Sequence, residues 1–284
     1  MNDPRPLPAS VLAVLAGETD VAIVHGEALD LLARAAETVP EAFGALVTDP
    51  PYSSGGAFRS DRAQTTEAKY VGTDQAGLRA SFSGDNRDQR SFAYWSALWL
   101  SAACRACRPG APICLFSDWR QAPTASDALQ AGGWVWRGLA VWDKTEGARP
   151  YKGRFRAQAE FIAWGSNGPM PAEGPVLPGV FRYPVTQADK HHQTGKPTPL
   201  LLDILRIVPP GAVILDPFAG SGTTLVAARM LGLRAVGFEL LAHNVATTEA
   251  RLAAAPRPLP PAAPAPQPRL PGTEAPPKET AAHG

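Results

Sequence analysis

The chain has 284 residues, with 27 Lys and Arg against 26 Asp and Glu and a formal net charge of +1. That length accommodates one large α/β domain and a tail, and the near-neutral balance means that any nucleic-acid face has to be a local basic cluster. No uncharged apolar run reaches the roughly 18 residues of a membrane helix, and residues 1–10 lack the basic-then-apolar pattern of a signal peptide, so the cytoplasm is the expected location.

In chain order, residues 21–24 read as a short strand, His25-Gly26-Glu27 as a turn and 28–36 as a helix by apolar spacing. Residues 43–48 are a second apolar run, which stops abruptly at Asp49-Pro50-Pro51-Tyr52. Residues 53–90 are polar and glycine-bearing with little periodicity, an insertion of the length that functional loops have. From residue 89 to 108 the pattern predicts a helix with Phe92, Trp95, Ala97, Leu98 and Leu100 on its apolar positions, ended by Pro109-Gly110. A strand over 111–116 runs into Ser117-Asp118-Trp119-Arg120, and a helix over 122–131 closes at Gly132-Gly133.

Two further strands, 134–142 and 159–164, flank an arm over 143–158. That arm carries Lys144, Arg149, Lys152, Arg154 and Arg156 against one interior acid, Glu146. Residues 165–180 form a Gly/Pro-rich loop. Pro197 opens a helix to 208, at a position where its missing N–H costs nothing. A strand over 212–215 enters Asp216-Pro217-Phe218-Ala219-Gly220-Ser221-Gly222-Thr223-Thr224 and a helix over 225–231. The strand 234–238 ends at Glu239, and 243–254 is the last helix. From 256 the Pro/Ala-rich composition cannot bury enough surface to offset chain entropy and predicts a disordered tail.

The resulting layout is an N-terminal segment (1–19), one α/β domain (20–255) with the insertion and the basic arm, and the tail (256–284). Strands alternating with helices predict a doubly wound, mostly parallel sheet, with the pair around the arm as an antiparallel edge. Cys104, Cys107 and Cys114 read as core residues; a metal site would need a fourth ligand, and no metal is expected.

Two motifs carry chemistry. In the first, the paired prolines fix their own φ and stiffen the residues before them. An acid, two carbonyls and an aromatic ring are therefore held at a strand's carboxyl end, where open α/β sheets bind ligands. In the second, a glycine-bearing turn between strand and helix lets backbone approach a ligand closely at a helix N-terminus. It lacks the Gly-Lys-Ser/Thr of phosphate loops and the third glycine of a full dinucleotide fingerprint. Glu239 falls about twenty residues on, where an acid reaches the ribose hydroxyls of a nucleoside.

The two segments in this order resemble the β group of S-adenosylmethionine-dependent DNA amino-methyltransferases, a circularly permuted Rossmann-like family. Lys196-Pro197 and His25-Gly26-Glu27 extend the likeness, although the family usually has Asp where Glu27 stands, and residues 82–95 resemble phage-type members. The resemblance spans roughly 20–252. It implies that Asp49, Pro50, Pro51 and Tyr52 are catalytic, holding and stacking the target base. It also implies that Asp216, Phe218, Gly220, Ser221, Gly222 and Thr223 surround S-adenosylmethionine. Glu239 would hold its ribose, Thr194 to Lys196 its methionine end and Glu27 its adenine; Phe218 is equally readable as core.

The implied reaction is methyl transfer to the exocyclic amine of a base flipped out of double-stranded DNA, with adenine N6 favoured because cytosine-N4 members more often have Ser in place of Asp49. Arg59, Arg62, Lys144, Arg149, Lys152, Arg154 and Arg156 are the expected DNA contacts. A homodimer would supply the grip that a missing reader domain does not. The alternatives are cytosine N4 methylation, a nicotinamide-binding oxidoreductase and an inactive DNA-binding homologue. No nuclease motif is evident. Asp118, Trp119 and Arg120 fall on the same sheet edge, with Trp119 equally readable as core; His191-His192 reads as a loop pair.

Overall fold

A computed structural model describes residues 5–53, 87–148, 152–185 and 195–256. Arg59, Arg62, Arg149, His191, His192 and Thr194 lie outside these residues, as do most of the 53–90 insertion and nearly all of the tail.

The elements are α1 (Ala9–Ala16), β1 (Val21–His25), α2 (Ala28–Thr38), β2 (Ala45–Thr48), α3 (Gln89–Ala106), β3 (Pro112–Ser117), α4 (Ala122–Ala131), β4 (Val135–Asp143), β5 (Ala159–Ser166), β6 (Val180–Arg182), α5 (Thr198–Ile204), β7 (Val213–Asp216), α6 (Thr223–Met230), β8 (Arg234–Glu239) and α7 (Ala242–Ala254). Among the described residues the strands form one sheet in the order β1-β8-β7-β2-β3-β5-β4-β6. The run from β1 to β3 is parallel throughout. Strand β5 then enters antiparallel between β3 and β4. The doubly wound, permuted arrangement with an antiparallel hairpin is the one expected.

Strands β2, β3 and β7 are buried at every residue, which is why they read as continuous apolar runs: both faces of the sheet are covered. On one face Leu46, Ile113, Leu115, Leu215 and Val236 pack under α1 to α4. On the other, Ala45, Val47, Cys114, Phe116 and Ile214 pack under α5 to α7. Helix α3 buries Phe92, Ser96, Trp99, Leu100, Ala103 and Ala106, a stripe at helical spacing, and Asp88 caps it by accepting the Ser91 N–H at 2.9 Å. Leu98, placed on that stripe by sequence, is 41% exposed.

Two elements were not anticipated. Helix α1 buries Val11 and Val14 in the core, and three-residue β6 rises out of the expected Gly/Pro-rich loop to flank β4. The expected antiparallel pair is present, but β6 lies outside it. For the site, the junction of β2 and β7 matters most. They are parallel neighbours, with Leu46 opposite Leu215. From β2 the chain proceeds through α3 to β3, and from β7 through α6 to β8 on the other side, over the opposite face. The crevice at a topological switch of this kind lies outside the strands' carboxyl ends.

Candidate active site

Strand β7 delivers Asp216 to that crevice. Its carboxylate accepts the Thr48 hydroxyl at 2.7 Å and the Phe218 N–H at 3.2 Å, so the two sequence motifs are physically joined. Burial pushes the Asp216 carboxyl up to about 6, against the lowering effect of its hydrogen bonds from Thr48 and Thr224. Gly220 and Gly222 follow for different reasons. Gly222 has φ +78°, and a Cβ there would lie 2.4 Å from Thr248 Cγ2. Gly220 has φ +54°, and a Cβ there would meet nothing within 4 Å, so its surface is open to a ligand.

Glu239, at the end of β8, is buried and oriented on both oxygens. Oε2 accepts the Gly220 N–H at 2.9 Å, and Oε1 accepts the Leu241 N–H at 2.8 Å and the Asn244 amide at 3.3 Å. The Ser221 and Thr223 hydroxyls are turned toward Arg251 of α7, at 3.2 and 3.1 Å; they brace the loop from behind. Phe218 is partly buried and meets Trp95 and Trp99 edge-on at 5.4 and 5.0 Å, so it is packed against the core. Arg87 lies 4.2 Å above the Trp95 ring. Burial lowers its pKa, and Glu27 acts against that shift. Glu27 itself is exposed and caps α2, accepting the Asp30 N–H at 2.9 Å. The longer side chain is thus accommodated as a helix cap.

The second half of the crevice is ionic. At the end of β2 Asp49 Oδ1 accepts the Tyr52 hydroxyl, and Oδ2 lies 2.5 Å from Lys196 Nζ. Lys196 is 6% exposed and also lies 3.3 Å from Glu160 Oε2, while Glu160 Oε1 lies 2.5 Å from Lys144 Nζ. The aromatic rings of Tyr52, Phe116 and Trp142 surround the Lys196 ammonium at 5.1 to 6.0 Å. Burial raises the Asp49 pKa, with Lys196 opposing and Glu160 reinforcing the shift. Lys196 would be lowered by burial, but Asp49 and Glu160 outweigh it and raise it. Burial alone would raise Glu160; the two lysines hold it below the ordinary range. The Tyr52 phenol is pushed well up by burial and by the carboxylates of Asp49 and Glu160.

Sequence reading placed Lys196 at the methionine end of a cofactor site; the structure pairs it with Asp49. Glu160 was missed altogether. Its one signal was an acid at the head of an apolar strand. Because β5 runs antiparallel, its first residues, not its last, reach the carboxyl edge of β3, with Phe161 opposite Ser117.

Of the arm, Lys152 and Arg154 are exposed, Arg156 donates to the Glu146 carbonyl, and Lys144 turns into the site. Phe155 stands fully exposed between Arg154 and Arg156. The arm's base is braced by Asp143, which accepts the Thr145 N–H at 2.8 Å and the Gln158 amide at 2.6 Å. Trp119 is 57% exposed beneath the Arg120 guanidinium, so it is not core. Cys107 and Cys114 are buried, and burial pushes the Cys114 thiol up to about 12. Among the described residues no cluster of His, Cys, Asp and Glu could hold a metal ion, and no helix is long and apolar enough to cross a membrane.

Residues 178–250 match a family model described as DNA methylase. The Escherichia coli (strain K12) protein YubD, which carries a methylase name, is 29% identical over 217 residues, covering 75% of this chain and 82% of YubD. The crystal structure of the M1.HpyAVI–SAM complex superposes with a TM-score of 0.60 at 21% identity, over 82% of this chain and 98% of that one. PvuII DNA methyltransferase, cytosine-N4-specific, gives 0.60 at 16% identity, over 82% and 86%.

Proposed function

We infer that this chain is a β-group S-adenosylmethionine-dependent DNA amino-methyltransferase and that it methylates adenine N6 in double-stranded DNA through the Asp49 to Tyr52 segment. The observation that carries the reading is the hydrogen bond from Thr48 to Asp216, which brings the base-holding strand end and the cofactor loop into one crevice.

The residues on the β7 side suit such a cofactor. The open surface over Gly220 admits a ligand against backbone, and the oriented Glu239 carboxylate keeps lone pairs for ribose hydroxyls beyond its three existing donors. The raised Asp216 carboxyl favours a neighbouring cation, as a sulfonium and an amino-acid ammonium are. Once bound, the cofactor supplies an electrophilic methyl group on sulfur. Phe218, with Trp95 behind it, presents an aromatic edge on the adenosine side, and Glu27 and Arg87 stand next to it.

An adenine amino group is a poor nucleophile because its lone pair is delocalised into the ring. Asp49 and the Pro50 carbonyl are acceptors for its two N–H bonds, which draws the nitrogen toward tetrahedral geometry. The Tyr52 ring is the stacking surface, and the proline pair holds all three groups rigid. The work of the site is positioning and electrostatics. As the N–CH3 bond would form at the expense of the S–CH3 bond, the target nitrogen would become cationic, be stabilised by the Asp49 carboxylate and pass one proton through that carboxylate to solvent water. The base must leave the duplex to reach a pocket this enclosed. Exposed Lys152 and Arg154, with Phe155 between them, are the arm's contacts to DNA, and a homodimer places one subunit's arm on DNA held by the other.

Asp49 favours adenine over cytosine. Nucleoside analysis of duplex DNA incubated with the protein and S-adenosylmethionine should yield N6-methyldeoxyadenosine; N4-methyldeoxycytidine would move the reading to cytosine, and unmodified DNA would reject it.

A further inference from the structure

Glu160 accepts nothing from the base in the mechanism above, yet it sits where the basic arm meets the pocket. Without a base, each Asp49 oxygen already accepts one donor, Oδ1 the Tyr52 hydroxyl and Oδ2 Lys196 at 2.5 Å. Lone pairs remain, but the ammonium on Oδ2 sets a cation against the amino group that has to approach that carboxylate. The Tyr52 hydroxyl also lies 3.4 Å from Glu160 Oε2, but Tyr52 is tied to the same backbone turn as Asp49; Lys196 comes from the segment just before α5, carries the full charge and lies 3.3 Å from that same Glu160 oxygen. A movement of under about 1 Å gives Lys196 a full hydrogen bond there.

We propose that Glu160 is a positioning residue, the acceptor that receives Lys196 when the target amino group takes its place on Asp49, and that Lys144 governs this exchange by passing from Glu160 to a DNA phosphate. The proposal rests on the methyltransferase reading.

Charge balance gives the exchange its catalytic sense. Lys144, Lys196, Asp49 and Glu160 sum to zero in the base-free pocket. The target nitrogen turns cationic as the methyl arrives, and a lysine ammonium left on Asp49 would oppose that charge. With Lys144 withdrawn, the remaining three groups carry one net negative charge in a poorly solvated site, where fixed charge acts strongly on a developing cation. Lys144 is placed for this dual role. It is the first residue after β4, its side chain is 21% exposed, and it begins the arm that carries exposed Lys152 and Arg154. Its pairing with Glu160 thus links occupancy of the arm by phosphate to release of Asp49.

The test is steady-state methyl transfer onto a duplex carrying the target, with S-adenosylhomocysteine affinity measured by calorimetry, for wild type, Glu160→Gln, Glu160→Asp and Lys144→Met. Glu160→Gln should lower kcat about 50-fold or more, with S-adenosylhomocysteine affinity within about twofold of wild type, and Glu160→Asp should restore part of the loss. Lys144→Met should raise KM for DNA several-fold and raise kcat, since the pocket then carries its negative charge permanently. A Glu160→Gln kcat within about twofold of wild type overturns the proposal, as does a Lys144→Met kcat that does not rise. If circular dichroism shows Glu160→Gln unfolded, the Lys144→Met split between kcat and KM decides alone. Wild type that binds S-adenosylhomocysteine but methylates no DNA rejects the underlying reading and the exchange with it, an outcome distinct from altered kinetics in the variants.

Discussion

The two halves of the crevice are built in opposite ways. On the β7 side one continuous stretch, from Asp216 to Thr224, makes most of the site, and its polar groups are closed by neutral or fixed partners: Glu239 on the Gly220 N–H, Thr48 of β2 on Asp216, Arg251 behind Ser221. On the β2 side the groups that meet come from four separate places, Asp49 and Tyr52, Lys144, Glu160 and Lys196, and what joins them is charge. A preformed loop is suited to a ligand that keeps one shape and arrives intact. A set of ion pairs with a spare acceptor is suited to a site that has to exchange partners during the reaction.

Substitutions confined to one half should therefore leave the other working. The largest stability effect falls on the loop. Gly222→Ala forces a side chain into left-handed backbone and against Thr248, and should cost about 2–4 kcal/mol. Pairing it with Thr248→Ala should recover part of the loss, as thermal denaturation will show; full stability in the single variant would mean that the turn is looser than described.

Asp216→Asn probes the same half through pH. The folded, cofactor-free carboxyl titrates at about 6 against 3.8 in the ordinary case, so its contribution is fully present below 3.8 and is lost as pH rises through about 6. The variant does not titrate there. Relative to wild type it should gain up to about 3 kcal/mol between pH 4 and pH 7, while its affinity for S-adenosylmethionine falls. A pH-independent stability difference would contradict the burial of this carboxyl.

The smallest effect belongs to the arm on the other half. Lys152→Ala with Arg154→Ala should flatten the slope of log K for DNA against log salt by about 0.9 for each phosphate no longer neutralised, leaving S-adenosylhomocysteine binding unchanged. An unaltered slope would place DNA elsewhere.

The same contrast explains what was legible in the sequence. The loop, Glu239 and the strand end at Asp49 could be singled out because each is a local pattern at the carboxyl end of a parallel strand. Lys196 was readable as part of a Lys-Pro segment, but its contact with Asp49 was not, because pairing across 147 residues is a property of the folded sheet. Glu160 was invisible to a rule that looks at the ends of strands, since antiparallel β5 brings its beginning to the site. Helix α1 has a short apolar stretch behind a Pro-rich start, with too little periodicity to stand out. Trp119 was weighed as core on residue type alone and is exposed, held under Arg120 at the rim of the crevice.

The account's central claim is that the two halves act as one methyl-transfer site with Asp49 at its chemical end. The most direct test is transfer of labelled methyl from S-adenosylmethionine to duplex DNA by wild type and Asp49→Ala, with S-adenosylhomocysteine binding measured on the same preparations. Wild type should incorporate label, and Asp49→Ala should lose at least about a thousandfold in rate, roughly 4 kcal/mol of transition-state stabilisation, while binding S-adenosylhomocysteine as wild type does. Methyl incorporation at the wild-type rate by Asp49→Ala would contradict it.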